Sequence, residues 1–309
     1  MSEPRRARVP APAKINLDLR VLGKRPDGFH ELRTIFQTIS LADTLEISFS
    51  KARRTEIALD DPLGIPDNLV VRAARAALDA MRVNGRVEMR LKKRIPMGAG
   101  LGGGSSNAAA VLLSLPVLAE RAIAAAELNE IAEALGSDVS FFLLGGTAAG
   151  IGRGTELFPL EDAPAFHGLL LTPGIHVNTA QAYRALSPRL TTDLQRNKIQ
   201  GFQVVTRWGG GLSALRNDFE AVVFEQHPEL GRLKRRLLRA GAAAALMTGS
   251  GSAVFGLFDS KDAAERAGKS LGEIAATRIS LISRARYHSM WRRSLAKYIQ
   301  PSTWPPQSR

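Results

Sequence analysis

The stretch 96–110 concentrates residue types that could bind an anion. Residues 98–106 contain five glycines and two serines in nine positions, and an alanine-rich segment follows them. Glycines let main-chain N–H groups approach a phosphate, and a helix that starts directly behind them adds the positive end of its dipole. Ser105, Ser106 and Asn107 supply hydroxyl and amide groups suited to phosphate oxygens or a magnesium ion. These residue types indicate a phosphate-binding loop.

Two widespread phosphate-binding motifs do not fit this loop. Gly98, Gly100 and Gly103 satisfy the letters of the dinucleotide fingerprint, but that motif needs a second strand ending in an acidic residue about 20 positions further on. Here the stretch 120–130 is alanine-rich and helical in character, with no strand before it. A P-loop ends in Gly-Lys-Ser/Thr, and Gly104 is followed by serine. A mobile surface loop is the remaining alternative, and the apolar helix behind the loop argues against it.

Periodic segments before and after the loop would have to position it. Residues 13–20 alternate strictly between apolar and polar side chains, which predicts a strand, and residues 87–91 predict a strand that leads into the loop. The other predicted elements are a Pro-Asp-Gly turn within 23–31, strands at 45–49, 168–172 and 277–282, a strand, glycine turn and strand over 246–258, and helices at 67–81 (capped by Asp67), 108–115, 128–135, 179–186, 217–225, 229–240 and 261–270. Residues 190–216 show no clear period.

The composition is that of a globular enzyme. A chain of 309 residues with 45% hydrophobic and 23% charged residues is long enough for about two domains, and the break in pattern at 160–166 predicts the boundary. No apolar run is long enough to span a bilayer, and no secretory signal is evident. The absence of cysteine excludes disulfides, thiolate metal sites and a cysteine nucleophile, and favours a cytoplasmic location.

The charge is strongly basic and unevenly distributed. The formal net charge is +13, and after Glu273 the chain has seven lysines and arginines but no acidic residue. Such a segment is typical of a solvated basic tail. Two alternatives remain open, namely a nucleic-acid partner and a basic surface that gathers polyanionic small substrates.

Three motifs, in the right order, resemble those of the GHMP kinases. Residues 96–109 (Pro-x-Gly-x-Gly-Leu-Gly-Gly-Gly-Ser-Ser-Asn-Ala-Ala) are similar to the second motif of that family, residues 12–41 to an N-terminal signature and residues 247–255 to the third motif. The resemblance extends from residue 9 to residue 286, and the first two motifs together are highly specific. The sequence departs from the pattern at Ala99, where glycine is frequent, and at Phe29, where tyrosine is usual.

The resemblance implies an α+β fold of two domains with the active site in the cleft between them. Residues 1–165 would form an N-terminal domain like the second domain of ribosomal protein S5, residues 166–286 the C-terminal GHMP kinase domain, and residues 287–309 a basic tail. It also implies that Asp138 accepts the proton of an acceptor alcohol while Lys14 keeps Asp138 ionised and stabilises charge on the transferring phosphoryl group. From the residues alone, Asp138 could be a helix N-cap and Lys14 part of a solvated strand face.

The resemblance also implies where ATP would bind. The implied loop contacts are Pro96, Met97, Gly98, Ala99, Gly100, Leu101, Gly102, Gly103, Gly104, Ser105 and Ser106, with Asn68 near the adenine or ribose, and Thr248, Gly249, Ser250 and Gly251 closing the site from the second domain. Helix-start chemistry for Asn68 and a plain hairpin turn at 248–251 are the alternatives. We expect Mg²⁺ because adjacent phosphate charges need neutralising, although no carboxylate pair identifies its ligands.

The acceptor implied by the resemblance is a cytidine-diphosphate-linked methylerythritol. Asn16 would orient it, His30 would read the cytosine, and Phe29 and Tyr183 would stack on the base. A turn-capping role for His30 and a core position for Tyr183 are the alternatives.

The implied reaction transfers the γ-phosphate of ATP to the tertiary 2-hydroxyl of that acceptor, a step on the non-mevalonate route to isoprenoid precursors. Homoserine, mevalonate and galactose kinases would share the loop but would have no reason for the Pro-Asp-Gly-Phe-His segment. The competing class is a nucleic-acid-binding protein, suggested by the sequence pI near 10.7 and less favoured than a kinase. We expect no membrane partner, and either a monomer or a homodimer.

Overall fold

Two β-sheets organise the chain, and the computed structural model describes residues 3–187, 212–272 and 274–299. The first sheet contains β1 (Arg5–Lys24), β2 (His30–Lys51), β3 (Glu56–Asp60), β4 (Gly85–Lys92), β5 (Thr147–Gly152) and β6 (Glu156–Pro159). Its order is β3-β4-β2-β5-β6, and β1 pairs with β2. The second sheet contains β7 (His167–Leu171), β8 (Ala244–Met247), β9 (Val254–Phe258) and β10 (Ala276–Ser280), in the order β10-β7-β9-β8.

The helices of the described residues lie between and after these strands. They are α1 (Leu69–Met81), α2 (Gly103–Ala119), α3 (Ala125–Leu135), α4 (Val139–Leu144), α5 (Thr179–Leu186), α6 (Glu220–Gln226), α7 (Pro228–Arg239), α8 (Lys261–Ser270) and α9 (Arg284–Leu295). Every helix and strand predicted from the periodic segments is confirmed, with shifts at the ends. The stretch 190–211, for which no element was predicted, lies outside the described residues.

Strands β1 and β2 form a long antiparallel hairpin whose register runs from Arg5 opposite Phe49 to Lys24 opposite His30. The predicted turn is confirmed: Gly28 has a φ of +84°, and the Asp27 carboxylate accepts the Phe29 N–H at 3.1 Å. Two register shifts, at 12/14 and 16/18, bend β1 beside the cleft. Strand β1 reaches from the first lobe, which is the first sheet with α1–α4 and α9, to the second lobe, which is the second sheet with α5–α8, because Leu19 and Val21 pack in the core of the second lobe.

The polar side chains at positions 14, 16 and 18 of β1 are buried, contrary to the alternative of a solvated face. Lys14 is 4% exposed, Asn16 2% and Asp18 1%. The glycine loop and the loop after β8 cover this side of the strand, since Lys14 N–H donates to Leu101 O and Asn16 N–H to Thr248 Oγ1, each at 3.0 Å. Buried polar groups need such partners.

Helix α2 is the central helix of the first lobe and is apolar on all sides. It begins at Gly103, five residues before the predicted start at Ala108, because its first turn is made of glycine and serine, which sequence propensities disfavour. Gly102, with a φ of +67°, precedes it. The predicted cap of α1 is also corrected: Asn68, not Asp67, is the N-cap, and its side chain accepts the Val70 N–H.

The prediction of a solvated basic tail is corrected for the described part of 287–309. Helix α9 buries Tyr287, Trp291 and Leu295, which pack into the core of the first lobe. The Tyr287 hydroxyl donates to Phe142 O at 2.5 Å. The apolar spacing of four residues therefore prevails over the charge of the segment, whose arginines point outward. Residues 300–309 lie outside the described residues.

A search of the described helices finds none with the length and apolar character required to cross a bilayer.

Candidate active site

The segment that leads into the glycine loop is anchored by Asp43, a fully buried residue of β2. One oxygen of its carboxylate accepts the N–H groups of Arg94 and Ile95 at 2.6 and 2.8 Å. The other accepts hydrogen bonds from Lys93 Nζ and, at 3.0 Å, from Asn107 Nδ2. This carboxylate therefore ties the entry of the loop to Asn107 of α2, directly after the first turn, which fixes both ends of the loop.

The loop itself needs glycine at three positions with positive φ. Gly98, Gly100 and Gly102 have φ values of +67°, +77° and +67°. Gly100 also lies against the second lobe, because a Cβ at that position would meet Thr248 O at 2.3 Å. The Ala99 carbonyl accepts the Ala253 N–H at 3.2 Å. Loop and third-motif segment therefore lie in main-chain contact.

Lys14 and Asp138 lie beside each other next to this loop. Lys14 Nζ is 3.5 Å from Asp138 Oδ2 and donates to Asn16 Oδ1 at 2.7 Å. The Lys14 ammonium also lies 5.5 Å from the centroid of the Phe36 ring. Asp138 occupies the N-cap position of α4, but its side chain makes no capping hydrogen bond. Its carboxylate, 30% exposed, is accessible on the cleft side.

A buried hydrogen-bond network holds Asn16 next to this pair. Asn16 Nδ2 donates to the Thr34 hydroxyl at 2.7 Å, and that hydroxyl donates to Asp18 O at 2.7 Å. On the other side, the Thr248 hydroxyl donates to Asn16 Oδ1 at 3.3 Å. Because each member has a partner, the network fixes the rotamer of Asn16 and, through it, the ammonium of Lys14.

Aromatic side chains line the same cleft. The rings of His30 and Tyr183 stack with centroids 4.6 Å apart, and Tyr183 meets the Phe219 ring edge-on at 4.8 Å. The Phe29 ring is 53% exposed, with the Arg153 guanidinium 3.6 Å from its centroid. The predicted partners Phe29 and Tyr183 therefore reach the same cleft, but His30 covers one face of Tyr183.

Burial shifts the ionisation of this aromatic wall. Burial, followed by the positive charge of Lys24, lowers the pKa of His30, so its imidazole is neutral at pH 7. Burial, followed by the negative charge of Asp138, raises the pKa of Tyr183 to about 12. The wall is therefore uncharged at neutral pH, which suits stacking with a neutral base.

These groups line one cleft of about 750 Å³. The sequence-predicted residues that it brings together are Lys14, Asn16, Phe29, His30, Gly100, Gly102, Asp138, Tyr183, Gly249 and Ser250. The basic residues on its wall are Lys14, Lys24, Arg153 and Arg184, and the acidic one is Asp138. Four cations around one carboxylate create a positive potential that suits a polyanionic ligand.

The side chains of two predicted ATP-binding residues form hydrogen bonds with other groups of the protein. The Ser106 hydroxyl donates to Pro12 O at 2.7 Å and its N–H to Gly102 O at 2.9 Å, so both donors are engaged. Asn68 caps α1 and donates to Asp61 at 2.9 Å. Both side chains therefore bond to neighbouring protein groups and do not by themselves support the expected contacts with nucleotide. For Asn68, the structure shows the alternative that the sequence left open, a cap at the start of a helix.

Comparison with known proteins identifies the chain. Residues 68–146 match the family described as GHMP kinases N terminal domain, and residues 205–276 match GHMP kinases C terminal. The chain is 66% identical over 313 aligned residues to 4-diphosphocytidyl-2-C-methyl-D-erythritol kinase of Solibacter usitatus (strain Ellin6076), covering 100% of this chain and 99% of that one. The chain belongs to the GHMP kinase family. It is an ATP-dependent kinase, as the motifs predicted.

Solved structures confirm the fold of this GHMP kinase. A crystal structure of 4-(cytidine 5'-diphospho)-2C-methyl-D-erythritol kinase, 39% identical, superposes with a TM-score of 0.75 over 89% of this chain and 98% of that one. A homoserine kinase from Cytophaga hutchinsonii, 19% identical, superposes at 0.71 over 92% and 97% and shows the fold alone. The predicted two-domain α+β fold is confirmed. The boundaries 1–165 and 166–286 stay predictions.

Several residues that shape the cleft of this kinase escaped the sequence analysis. Thr34 links Asn16 to Asp18, Arg153 covers Phe29, and Asn217 holds the third-motif loop. Thr34 belongs to β2, within the N-terminal signature but outside its Pro-Asp-Gly-Phe-His segment, whereas Arg153 belongs to the turn after β5, far in sequence from Phe29. The one available signal was the position of Thr34 next to the Pro-Asp-Gly-Phe-His segment.

Proposed function

We propose that this kinase transfers the γ-phosphate of ATP to the 2-hydroxyl of 4-diphosphocytidyl-2-C-methyl-D-erythritol, in the non-mevalonate pathway to isoprenoid precursors. The observation that carries the proposal is the position of the Lys14–Asp138 pair, in one cleft between the glycine loop and the aromatic wall of His30 and Tyr183. The names of the relatives suggest the acceptor, and the basic residues that line the cleft suit its diphosphate.

The chemical step needs one base and stabilisation of charge. The acceptor oxygen forms a bond to the γ-phosphorus while the bond from that phosphorus to the bridging oxygen of ADP breaks. The proton of the acceptor hydroxyl goes to the Asp138 carboxylate, which is exposed on the cleft side and is not used as a helix cap. Lys14, held by Asn16, stabilises the negative charge on the transferring phosphoryl group. Its ammonium is pre-oriented, so little reorganisation accompanies the step.

ATP would bind along the glycine loop, with its phosphates at the start of α2. The supporting features are the positive-φ glycines, which bare the main chain, and the buried helix directly behind them. Thr248, Gly249, Ser250 and Gly251 close the cleft from the second lobe, since Thr248 O touches Gly100. Pro96 and Met97 precede this contact, and Met97 is largely exposed at the loop entrance.

Mg²⁺ would enter this site with the nucleotide. Within the described residues there is no group of three or more histidine, aspartate or glutamate side chains that could hold a metal alone. Magnesium does not require such a group in a kinase, because the ion is held there by one or two protein ligands together with phosphates and water. Ser105, half-buried in the first turn of α2, would offer the protein hydroxyl. The magnesium ion would neutralise phosphate charge at this position.

The aromatic end of the cleft would select the acceptor. The neutral His30 ring can hydrogen-bond the edge of cytosine, and its Nε2 is now 2.9 Å from the Ser187 hydroxyl, a contact that a base could replace. Phe29 offers an exposed ring for stacking, and Arg153 and Lys24 offer charge to the diphosphate. An acceptor without a base would leave these groups unused, which disfavours homoserine and mevalonate.

The location and assembly of the enzyme stay predictions. We propose a cytoplasmic location, supported by the absence of cysteine from the whole sequence. A monomer and a homodimer remain equally compatible with the described residues, and sedimentation of the purified chain distinguishes them.

The experiment that tests the function measures ADP release with ATP and Mg²⁺ and one acceptor at a time. We expect turnover with 4-diphosphocytidyl-2-C-methyl-D-erythritol and no turnover above the acceptor-free rate with homoserine, mevalonate or galactose. Free methylerythritol phosphate, which lacks the cytidine, serves as a matched acceptor that tests the aromatic wall. Equal rates with and without the cytidylated acceptor would refute the proposal.

A further inference from the structure

Asn217 lies between β1 and the loop after β8. It is 4% exposed, and its Nδ2 donates to two main-chain carbonyls, Met247 O at 2.7 Å and Gly249 O at 2.8 Å. Its Oδ1 accepts the Phe219 N–H at 3.0 Å. The amide nitrogen and the amide oxygen of Asn217 thus both bond to main-chain groups.

The two carbonyls that Asn217 holds lie on either side of Thr248. Thr248 is the residue whose hydroxyl contacts Asn16, accepting its N–H at 3.0 Å and donating to its Oδ1 at 3.3 Å. Asn16 Oδ1 in turn accepts the Lys14 ammonium at 2.7 Å. The backbone of residues 247–249 together with the hydrogen bonds of Thr248 and Asn16 therefore connects Asn217 to the Lys14–Asp138 pair.

The segment around Asn217 is itself fixed to β1. Leu19 N–H donates to Arg216 O at 2.8 Å, and Asp218 N–H donates to Leu19 O at 3.0 Å. The Asp218 carboxylate accepts the Val21 N–H at 2.9 Å. Asn217 thus holds the third-motif loop from a position that is locked to the same strand that bears Lys14 and Asn16. A displacement of β1 or of the third-motif loop would therefore change the hydrogen bonds around Asn217.

The neighbour on the other side completes the arrangement. Glu220, at the start of α6, accepts the Met247 N–H at 2.8 Å, so both main-chain groups of Met247 are held by side chains from residues 217–220. Phe219, between them, lines the cleft and meets Tyr183. Four consecutive residues thus contact β1, the third-motif loop and the aromatic wall.

We propose that Asn217 is a positioning residue for the phosphoryl-transfer step, acting through Thr248 and Asn16 on the Lys14 ammonium. The proposal rests on the proposed function of the cleft and extends it, because it assigns a role in catalysis to a buried side chain that does not line the cleft. Small misplacements of reacting groups lower the rate steeply, so the effect belongs in kcat more than in the KM of either substrate.

The kinetic test compares Asn217→Ala with the wild-type chain and with Leu237→Ala, a core position of α7 that is not part of the cleft or its loops. Leu237→Ala lowers Tm but leaves kcat within about 2-fold, whereas Asn217→Ala lowers kcat about 10- to 100-fold with each KM within about 3-fold. Asn217→Asp keeps the volume of the side chain but removes the Nδ2 donor, and it should show the same loss of kcat. It replaces the alanine variant as the test if that variant does not fold. A wild-type kcat in either folded variant overturns the proposal.

The route through Thr248 is tested by a double-mutant cycle. In a Thr248→Val background, which lacks the hydroxyl that holds Asn16, Asn217→Ala should lower kcat by less than about 3-fold further. If the losses of kcat from Thr248→Val and Asn217→Ala multiply in full in the double variant, Asn217 acts by another route and the proposal is overturned.

A measurement without substrate separates this inference from the proposed function. Asn16 N–H donates to the Thr248 hydroxyl, so its hydrogen exchange, followed by NMR on the full chain, should be faster in Asn217→Ala than in Leu237→Ala. Equal exchange rates at Asn16 contradict the inference whatever the acceptor. An inactive wild-type chain contradicts the proposed function alone, since the exchange result still decides the role of Asn217.

Discussion

Replacing Gly100 by alanine should separate the glycine loop from the third-motif loop. Gly100 has a φ of +77°, and a Cβ built on it would lie 2.3 Å from Thr248 O and 3.2 Å from Gly251 O. Both neighbours are main-chain atoms, which cannot rotate away as a side chain could. Restoring an ordinary contact requires the two loops to part by about 1 Å, and a displacement of that size costs on the order of 100-fold in rate.

The matched control is Gly272→Ala. Gly272 has a φ of +65° and open space around its Cβ position, so it bears the conformational penalty of about 1–2 kcal/mol without the clash. Both variants should lose several degrees of Tm for this common reason. Only Gly100→Ala should also lose kcat/KM for ATP, by roughly 100-fold.

The assay is acceptor-dependent ADP release over a range of ATP concentrations, with Tm measured on the same samples. The reasoning fails if Gly100→Ala keeps kcat/KM within about 3-fold of wild type. It also fails if Gly272→Ala loses as much activity as Gly100→Ala, because the effect would then come from stability and not from the contact between the loops.

Three further predictions concern the aromatic wall and the C-terminal helix. Phe29→Ala should raise the acceptor KM roughly 2- to 10-fold while Phe29→Tyr leaves it unchanged, since the ring is exposed and contributes stacking; steady-state kinetics with varied acceptor check this. Because burial lowers the pKa of His30 below the usual 6.5, the unfolded chain binds its proton more readily, so the His30 contribution to stability is present above pH 6.5 and is lost as the pH falls through the lowered value. Urea unfolding of wild type and His30→Asn across this range should show a shallower decline in the variant, and parallel curves would count against the shift. Trp291→Ala should lower the free energy of unfolding by about 3–5 kcal/mol, whereas its exposed neighbour Arg292→Ala should change it by less than about 0.5 kcal/mol; denaturant titration measures both, and a small effect at Trp291 would mean that α9 is not part of the core.

Local patterns predicted most of the elements of this fold. The alternation of residues 13–20 predicted β1, and the glycine turn between two apolar runs predicted β8 and β9. What the alternation could not predict is that Lys14 and Asn16 are buried, because the loops that cover them come from residues about 90 and 230 positions away. Short-range periodicity contains no information on such contacts.

The errors have physical causes that can be stated for particular residues. The first turn of α2 was missed because glycine and serine have low helix propensity, whereas tertiary contacts hold it in the fold: the Ser106 hydroxyl donates to Pro12 O, and Asn107, directly after the turn, donates to Asp43. Helix α9 was read as a tail because its charge was weighted above the spacing of Tyr287, Trp291 and Leu295, a pattern present in the sequence. For Asn217 no local signal existed, since its partners are carbonyls of a distant loop.

The candidate site was predicted largely through its motifs. Lys14, Asn16, Phe29, His30, Asp138 and Tyr183 do line one cleft, although they come from four separate parts of the sequence. Side-chain roles were harder to predict, as Ser106 illustrates: its place in the motif suggests a phosphate ligand, but its hydroxyl bonds to Pro12 O. The direction of a side chain depends on its neighbours in space, which the motif does not record.

The central claim is that the Asp138 carboxylate takes the proton of the acceptor hydroxyl, and single-turnover phosphoryl transfer by Asp138→Asn tests it most directly. Asparagine keeps the shape of the side chain, and Asp138 makes no capping hydrogen bond that the change would break. We predict a rate of transfer about 10²- to 10⁴-fold below wild type, with the affinity for ATP unchanged to within about 3-fold. A variant that transfers phosphate at the wild-type rate would contradict the account.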